Sequence, residues 1–106
     1  MAGREIDWPG KSGKKYHYWI YDLGTKHDPV PANYVFTKET EQGTFRPIYI
    51  GQTSDISERF DNHHKWLCIV KNGATHVCTH KSSVDEKARL AEEGDLIKNY
   101  NPVCND

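Results

Sequence analysis

Three groups of residues in this sequence combine side-chain type and spacing in ways that could do chemistry. The first is a carboxylate in an unexpected place. In a helix read over residues 83–100, Leu90, Leu96, Ile97 and Tyr100 form the apolar face, and Glu93 falls in its middle, while Glu92 and Asp95 point away from its centre. A carboxylate on the core side must be paired, hydrogen-bonded or coordinated to a cation, because burying it alone is very costly. Glu93 is therefore either a metal-ligating or catalytic acid, or one half of an ion pair with a buried base such as Arg59. The second group is Arg59 and His63, one turn apart on a helix read over 55–66, where they flank the apolar stripe of Ile56, Phe60 and Leu67. Arginines on surface helices ordinarily sit on the wet face, so this placement is informative. The third is His76-Val77-Cys78-Thr79-His80, whose alternation puts His76, Cys78 and His80 on one strand face, with His64 and Cys68 upstream. A zinc site would need four convergent ligands, and ordinary strand residues are the favoured reading.

The elements that must position these groups follow from period and punctuation. Ile48-Tyr49-Ile50 reads as a buried strand stopping at a tight turn on Gly51, and Asp55-Ile56-Ser57-Glu58 has capping-box spacing for the helix after it. Asn33-Tyr34-Val35-Phe36-Thr37 reads as a strand joined to it by a hairpin-like connection over 38–46, which predicts an antiparallel pair. Upstream, the aromatic run over 16–21 predicts another strand, followed by a loop containing Pro29 and Pro31. Residues 1–15, with Pro9-Gly10 and Ser12-Gly13, read as loose. A strand over 74–80 follows the Asn72-Gly73 turn, and Ser83-Val84-Asp85-Glu86 is a second capping box whose helix Pro102 forbids from continuing. The expected fold is α+β: a small antiparallel sheet of three core strands plus an extra N-terminal strand, flanked by helices, with residues 16–106 as a single domain.

Composition bounds the function classes. A chain of 106 residues with 36% hydrophobic and 27% charged residues can build one modest core. A net charge of −1 argues against an all-over polyanion binder, although Lys11, Lys14, Lys15 and Lys26 crowd one end of the chain and leave room for a local basic patch. Cys68, Cys78 and Cys104 are odd in number and lack C-x-x-C spacing, so a disulfide framework is not expected. No apolar run approaches the roughly 20 residues of a membrane span, and no signal-peptide core is evident; the expected location is cytoplasmic.

Together these residues resemble the GIY-YIG nuclease family over residues 33–105. Tyr49-Ile50-Gly51 is the family's second signature triplet as it stands. Thr53 and the Asp55-Ile56 helix start follow it, Arg59 falls at the family's catalytic arginine, and His63 matches a histidine of its restriction-endonuclease members. Glu93-Gly94-Asp95-Leu96-Ile97, then Pro102 and Asn105, looks like the C-terminal block with its metal-binding glutamate. The first triplet departs: Trp19-Ile20-Tyr21 lies too far upstream, and Ala32-Asn33-Tyr34 keeps the tyrosine but loses the glycine.

The resemblance implies a GIY-YIG-like fold and a metal-dependent DNA endonuclease. Glu93 would hold one divalent cation, Mg²⁺ or Mn²⁺, and Arg59 would grip the phosphate. Tyr34, hydrogen-bonded to His63 or Tyr49, would orient or deprotonate the attacking water, and either the metal and Arg59 would lower its pKa or His63 would accept its proton. Asn105 would position, and Gly51, Thr53 and Lys65 would contact substrate. With no DNA-recognition module evident, specificity would come from DNA structure, a homodimer or a separate protein. Two other classes stand beside this one: a catalytically silent nucleic-acid-binding or scaffolding domain of the same fold, and a zinc-binding interaction domain.

Overall fold

The computed structural model describes residues 4–41, 43–58, 63–81 and 85–105. Five strands form one antiparallel sheet: β1 (Arg4–Pro9), β2 (Lys15–Asp22), β3 (Ala32–Glu41), β4 (Thr44–Thr53) and β5 (His76–Lys81), in the spatial order β1-β2-β5-β3-β4. Among the described residues two helices accompany it, α1 (Trp66–Lys71) and α2 (Glu86–Tyr100), and a 3₁₀ turn covers Val103–Asn105. Among the described residues no helix is long and apolar enough to cross a membrane.

Period-2 alternation explains how two clusters form on one sheet. On one face Ala32, Tyr34, Phe36 and Val77 pack with Ile56 and Ile69, the latter from α1. On the other, Trp8, Tyr18, Ile20, Val35, Ile50 and Cys78 pack with Leu96 of α2. Residues 32–37 of β3 are accordingly buried without interruption. The sheet curls, bringing Arg4 of β1 across to Glu39 of β3 (2.8 Å) and over the Phe45 ring of β4 at 5.0 Å.

Residues 4–15, read as loose, form strand and turn, and residues 1–3 lie outside the described residues. Ile6 and Trp8 alternate into the α2-side cluster, and β1 pairs with β2 from Arg4↔Ile20 to Pro9↔Lys15. Asp95 of α2 fastens the connecting turn: its carboxylate accepts from the Ser12 amide (2.9 Å), the Ser12 hydroxyl (2.6 Å) and the Tyr16 hydroxyl (2.8 Å). A β-carbon on Gly10 would run into that carboxylate and push it from its place. The β3–β4 hairpin is also tighter than expected, because both strands extend to a turn on Gly43 at φ +87°.

The helix expected over 55–66 does not begin at Asp55. Ile56–Glu58 make a turn and bend, and the Asp55 carboxylate accepts from the Ser57 amide and hydroxyl (2.9 and 2.5 Å) in an Asx turn. Among the described residues the first helical one is Trp66, and Leu67, expected in the buried stripe, is 85% exposed. Phe60 lies outside the described residues. In α2 the N-cap is Asp85, which accepts from the Lys87 amide at 3.0 Å, and the helix ends at Asn101 in the left-handed conformation just before Pro102. Its buried positions are Arg89, Glu92 and Leu96, whereas Leu90 is 46% exposed. The sheet-facing side is thus rotated relative to the apolar stripe of the sequence. Glu92, expected to point outward, is buried because it accepts from the Tyr18 hydroxyl (2.5 Å) and pairs with His80 Nδ1 (3.0 Å).

A disulfide joins Cys68 of α1 to Cys104 of the 3₁₀ turn, with α-carbons 5.8 Å apart, and Cys78 is a buried free thiol. A disulfide framework was not expected, and this single bridge corrects that reading and removes Cys68 from any metal set. His76 and His80 do share a strand face with Cys78, but residues four apart on a strand stand about 13 Å from one another. His76 lies 3.6 Å from Asp22 and His80 binds Glu92, so they do not converge. The bridge spans 36 residues of sequence, for which loop-closure entropy gives about 3–4 kcal/mol. Cys104→Ser, or reduction of the wild type, is expected to lower the denaturation midpoint accordingly. Thiol titration should find one reactive cysteine in oxidised protein, and only after unfolding.

Candidate functional site

The antiparallel pairing of β3 with β4 brings the two candidate triplets side by side, with Tyr34 directly opposite Gly51 and Phe36 opposite Tyr49. Tyr34 lies across the space that a side chain at 51 would fill. A β-carbon there would stand 2.7 Å from the Tyr34 hydroxyl and ring carbon and 2.9 Å from the Tyr49 ring. Gly51 lies inside β4, which runs on to Thr53, so it is not a turn residue. Its missing side chain makes room for Tyr34, not for a phosphate.

Tyr49 and His63 meet edge to face at 4.9 Å, Tyr34 and Tyr49 lie 6.2 Å apart, and His64 stacks on His63 at 4.6 Å. The Tyr34 hydroxyl and His63 Nε2 are 2.8 Å apart, and His63 Nδ1 lies 3.0 Å from the Lys65 backbone nitrogen. A backbone N–H can only donate, so Nδ1 must accept. The neutral ring then carries its proton on Nε2 and donates it to the Tyr34 oxygen. Burial, with His64 and Lys65 adding to it, holds His63 below its ordinary value and favours that neutral form. His63 therefore cannot take a proton from Tyr34 in this arrangement, contrary to one of the two routes implied by the resemblance. Lys65 contributes its amide to this lock.

Glu93 reaches the same end of the sheet from α2. Its carboxylate is half-buried, and burial raises its pKa against the opposing pull of the Gln52 backbone N–H. Tyr34 and Tyr49 both feel that carboxylate. Burial pushes both phenols above the usual tyrosine range, and Glu93 adds to the shift in each. Among the described residues Glu93 has no ion pair. Arg59, the base considered as its partner and as the phosphate grip, lies outside the described residues. No group of three His, Cys, Asp or Glu that could hold a metal occurs among the described residues. A single half-buried carboxylate with no cationic partner among those residues nevertheless suits a hard divalent ion whose remaining ligands are waters.

The remaining candidates are structural in their contacts. Asn105 donates to the Ile50 carbonyl (2.8 Å) and accepts from the Ile50 amide (2.9 Å), so its side chain is consumed holding the strand between Tyr49 and Gly51. The Thr53 hydroxyl engages the backbone of Asp55, donating to its carbonyl at 3.2 Å and accepting from its amide at 3.1 Å. Two residues near the site were not singled out from the sequence. Gln52 accepts from Arg89 Nε at 3.0 Å while its backbone N–H faces Glu93. Arg89 is buried, and its carbonyl accepts from Asn33 at 2.8 Å. The spacing of Arg89 and Glu93, one helical turn apart, was the available signal for that pair.

Comparison with models of protein families, with curated proteins and with solved structures gave no match to this chain. The fold is described by its own geometry as α+β, with a curled five-stranded antiparallel sheet and two helices.

Two outcomes check this geometry. Gly51→Ala should destabilise by about 1–3 kcal/mol through overpacking and shift the Tyr34 and His63 resonances together. The second concerns pH: a histidine with a lowered folded pKa binds fewer protons folded than unfolded. Its contribution is complete above the unfolded value of 6.5 and is lost as pH falls through it toward the folded value. Wild type should therefore lose more stability between pH 7.5 and 5.5 than His63→Gln. Comparison with the variant isolates this residue from His17, whose raised pKa acts in the opposite sense. A His63 that titrates above 6.5 overturns the assigned tautomer.

Proposed function

We propose that this chain is a metal-dependent DNA endonuclease of the GIY-YIG kind, hydrolysing phosphodiester bonds at the β3–β4 end of the sheet. The observation that carries the reading is the convergence there of Tyr34, held by His63, with Tyr49 and the half-buried Glu93. These groups come from β3, β4, the segment before α1, and α2, which are well separated in sequence.

Phosphodiester hydrolysis needs a positioned water, neutralisation of charge on the phosphorane and protonation of the leaving oxygen. Glu93 would hold a Mg²⁺ or Mn²⁺ ion, which when bound supplies neutralisation of the phosphate's developing charge. Arg59 would grip nonbridging oxygens with its planar fork. The Tyr34 hydroxyl accepts from His63 Nε2, which turns its own hydrogen away from that ring. Tyr34 would thus orient the attacking water, and the bond from His63 would stabilise negative charge that builds on the phenol oxygen. His63 and Asn105 are positioning residues in this scheme, acting through Tyr34 and through β4.

One observation favours a second reading, a silent nucleic-acid-binding domain of the same fold: burial and the Glu93 carboxylate both oppose ionisation of Tyr34 and Tyr49. Cleavage decides between them. Wild type is expected to nick or cut a mixed panel of duplex, branched and single-stranded DNA with Mg²⁺ or Mn²⁺. Glu93→Ala and Arg59→Ala should each lose about 10²- to 10³-fold, the scale of removing one charge-stabilising group. Cleavage persisting in both variants would remove the site assignment. Wild type inert on every substrate would favour the silent domain.

A further inference from the structure

The face of the sheet that carries Tyr34 continues beyond it. Tyr34 is paired with Thr79 of β5, and Thr79 with Trp19 of β2, so the three occupy one transverse row with their side chains on the same side. Trp19 is 41% exposed, unusual for a tryptophan in the middle of a strand. Beside it lies a groove of about 350 Å³ lined by His17, Trp19, Tyr21, Thr79, His80 and Lys81. Thr79 is 1% exposed, and its hydroxyl oxygen has no hydrogen-bond partner among the described residues. A buried hydroxyl in the floor of an aromatic groove leaves hydrogen-bonding capacity for a ligand to use.

The groove is built to hold its tryptophan in place. His17 sits edge-on to Trp19 at 5.7 Å and is itself clamped between Asp7 at Nδ1 (2.7 Å) and Glu5 at Nε2 (2.6 Å). Ionised carboxylates only accept, so both ring nitrogens donate and His17 is an imidazolium, which offsets part of the acidic charge on this face. Lys81 adds a second cation, tied at 3.2 Å to Asp28 of the loop between β2 and β3. A flat, rigid aromatic surface with a polar floor and a lysine at its rim matches a planar heterocycle with hydrogen-bonding edges on a charged backbone.

We propose that Trp19, with Thr79 beneath it and Lys81 beside it, forms a stacking subsite for an unpaired nucleobase of the same polynucleotide that is cut at Tyr34. This rests on the nuclease reading and deepens it by naming the substrate class. Along that row two strand spacings, roughly 10 Å, separate Trp19 from Tyr34. A base held at Trp19 must be out of its helical stack, so the preferred substrate is single-stranded, frayed or branched DNA near the scissile bond and not continuous duplex.

Binding is measured by fluorescence anisotropy with a mixed-sequence single-stranded DNA oligonucleotide in EDTA, where cleavage cannot occur. Trp19→Ala is expected to weaken binding by about tenfold, and Trp19→Tyr to retain most of it. Thr79→Val, nearly the same shape, should weaken binding to the base-bearing oligonucleotide while leaving an abasic oligonucleotide unaffected. Wild type and Trp19→Ala should bind that abasic oligonucleotide equally. Thermal melting of each variant verifies folding. Unchanged binding by folded Trp19→Ala overturns the subsite, as does wild type that cuts duplex DNA yet does not bind the single strand; in both cases Glu93-dependent cleavage leaves the nuclease reading standing. Wild type that neither binds nor cuts any DNA removes both.

Discussion

Tyr34, its hydroxyl end filling the space beside the bare backbone of Gly51, makes the contact on which the rest of this end of the molecule depends. It fixes the register of β3 against β4, since shifting either strand by one residue would turn every side chain to the opposite face. With the register set, Tyr49 falls next to Tyr34, and the pair forms the surface on which His63 packs. His63 in turn needs the turn at Lys65 to hold its proton on the correct nitrogen. The three described residues just before α1, His63 to Lys65, are therefore held by the site as much as they build it.

The opposite face is governed by a different constraint, the accommodation of charge within a small core. α2 turns Arg89, Glu92 and Leu96 toward the sheet, and burying the first two unpaired would be prohibitive. Each finds partners on a strand: Arg89 on Gln52 of β4, Glu92 on Tyr18 of β2 and His80 of β5. These bonds dock the helix at several points across the sheet and set its rotation. Glu93 is carried to the end of β4 as a consequence, beside residues that a purely apolar interface would have placed elsewhere.

Much of the strand content was legible from the sequence because strands announce themselves locally. The aromatic run of β2, the pair β3 and β4, and β5 all follow alternation and turn residues. β1 was missed because its two inward residues, Ile6 and Trp8, are too few to stand out among polar neighbours; long-range docking by Asp95 makes the segment a strand. The capping signal at Asp55 was real chemistry misattributed, since an aspartate accepts from the amide two residues on equally well in a turn, which is what residues 56–58 form. In α2 the apolar stripe misled because Tyr18 and His80 make a polar position the better one to bury, and nothing in residues 86–100 carries that information. The Cys68–Cys104 bridge was invisible for the same reason: the proximity of two positions 36 residues apart is created by the fold. At the site, the positions of Tyr34, His63 and Glu93 followed from pattern and resemblance, but the direction of the proton between Tyr34 and His63 required the Lys65 amide.

Asn105 has a consequence beyond the strand it steadies. β4 ends the sheet, and an outermost strand offers its unpaired amides and carbonyls to any passing extended chain. At Ile50 both groups are already taken by one side-chain amide, which imitates a neighbouring strand for a single residue and then stops. At Gln52 the Glu93 carboxylate faces the next outward N–H and presents negative charge to whatever approaches. At these two positions the edge of β4 thus meets side chains of the same chain, an amide at Ile50 and a carboxylate at Gln52.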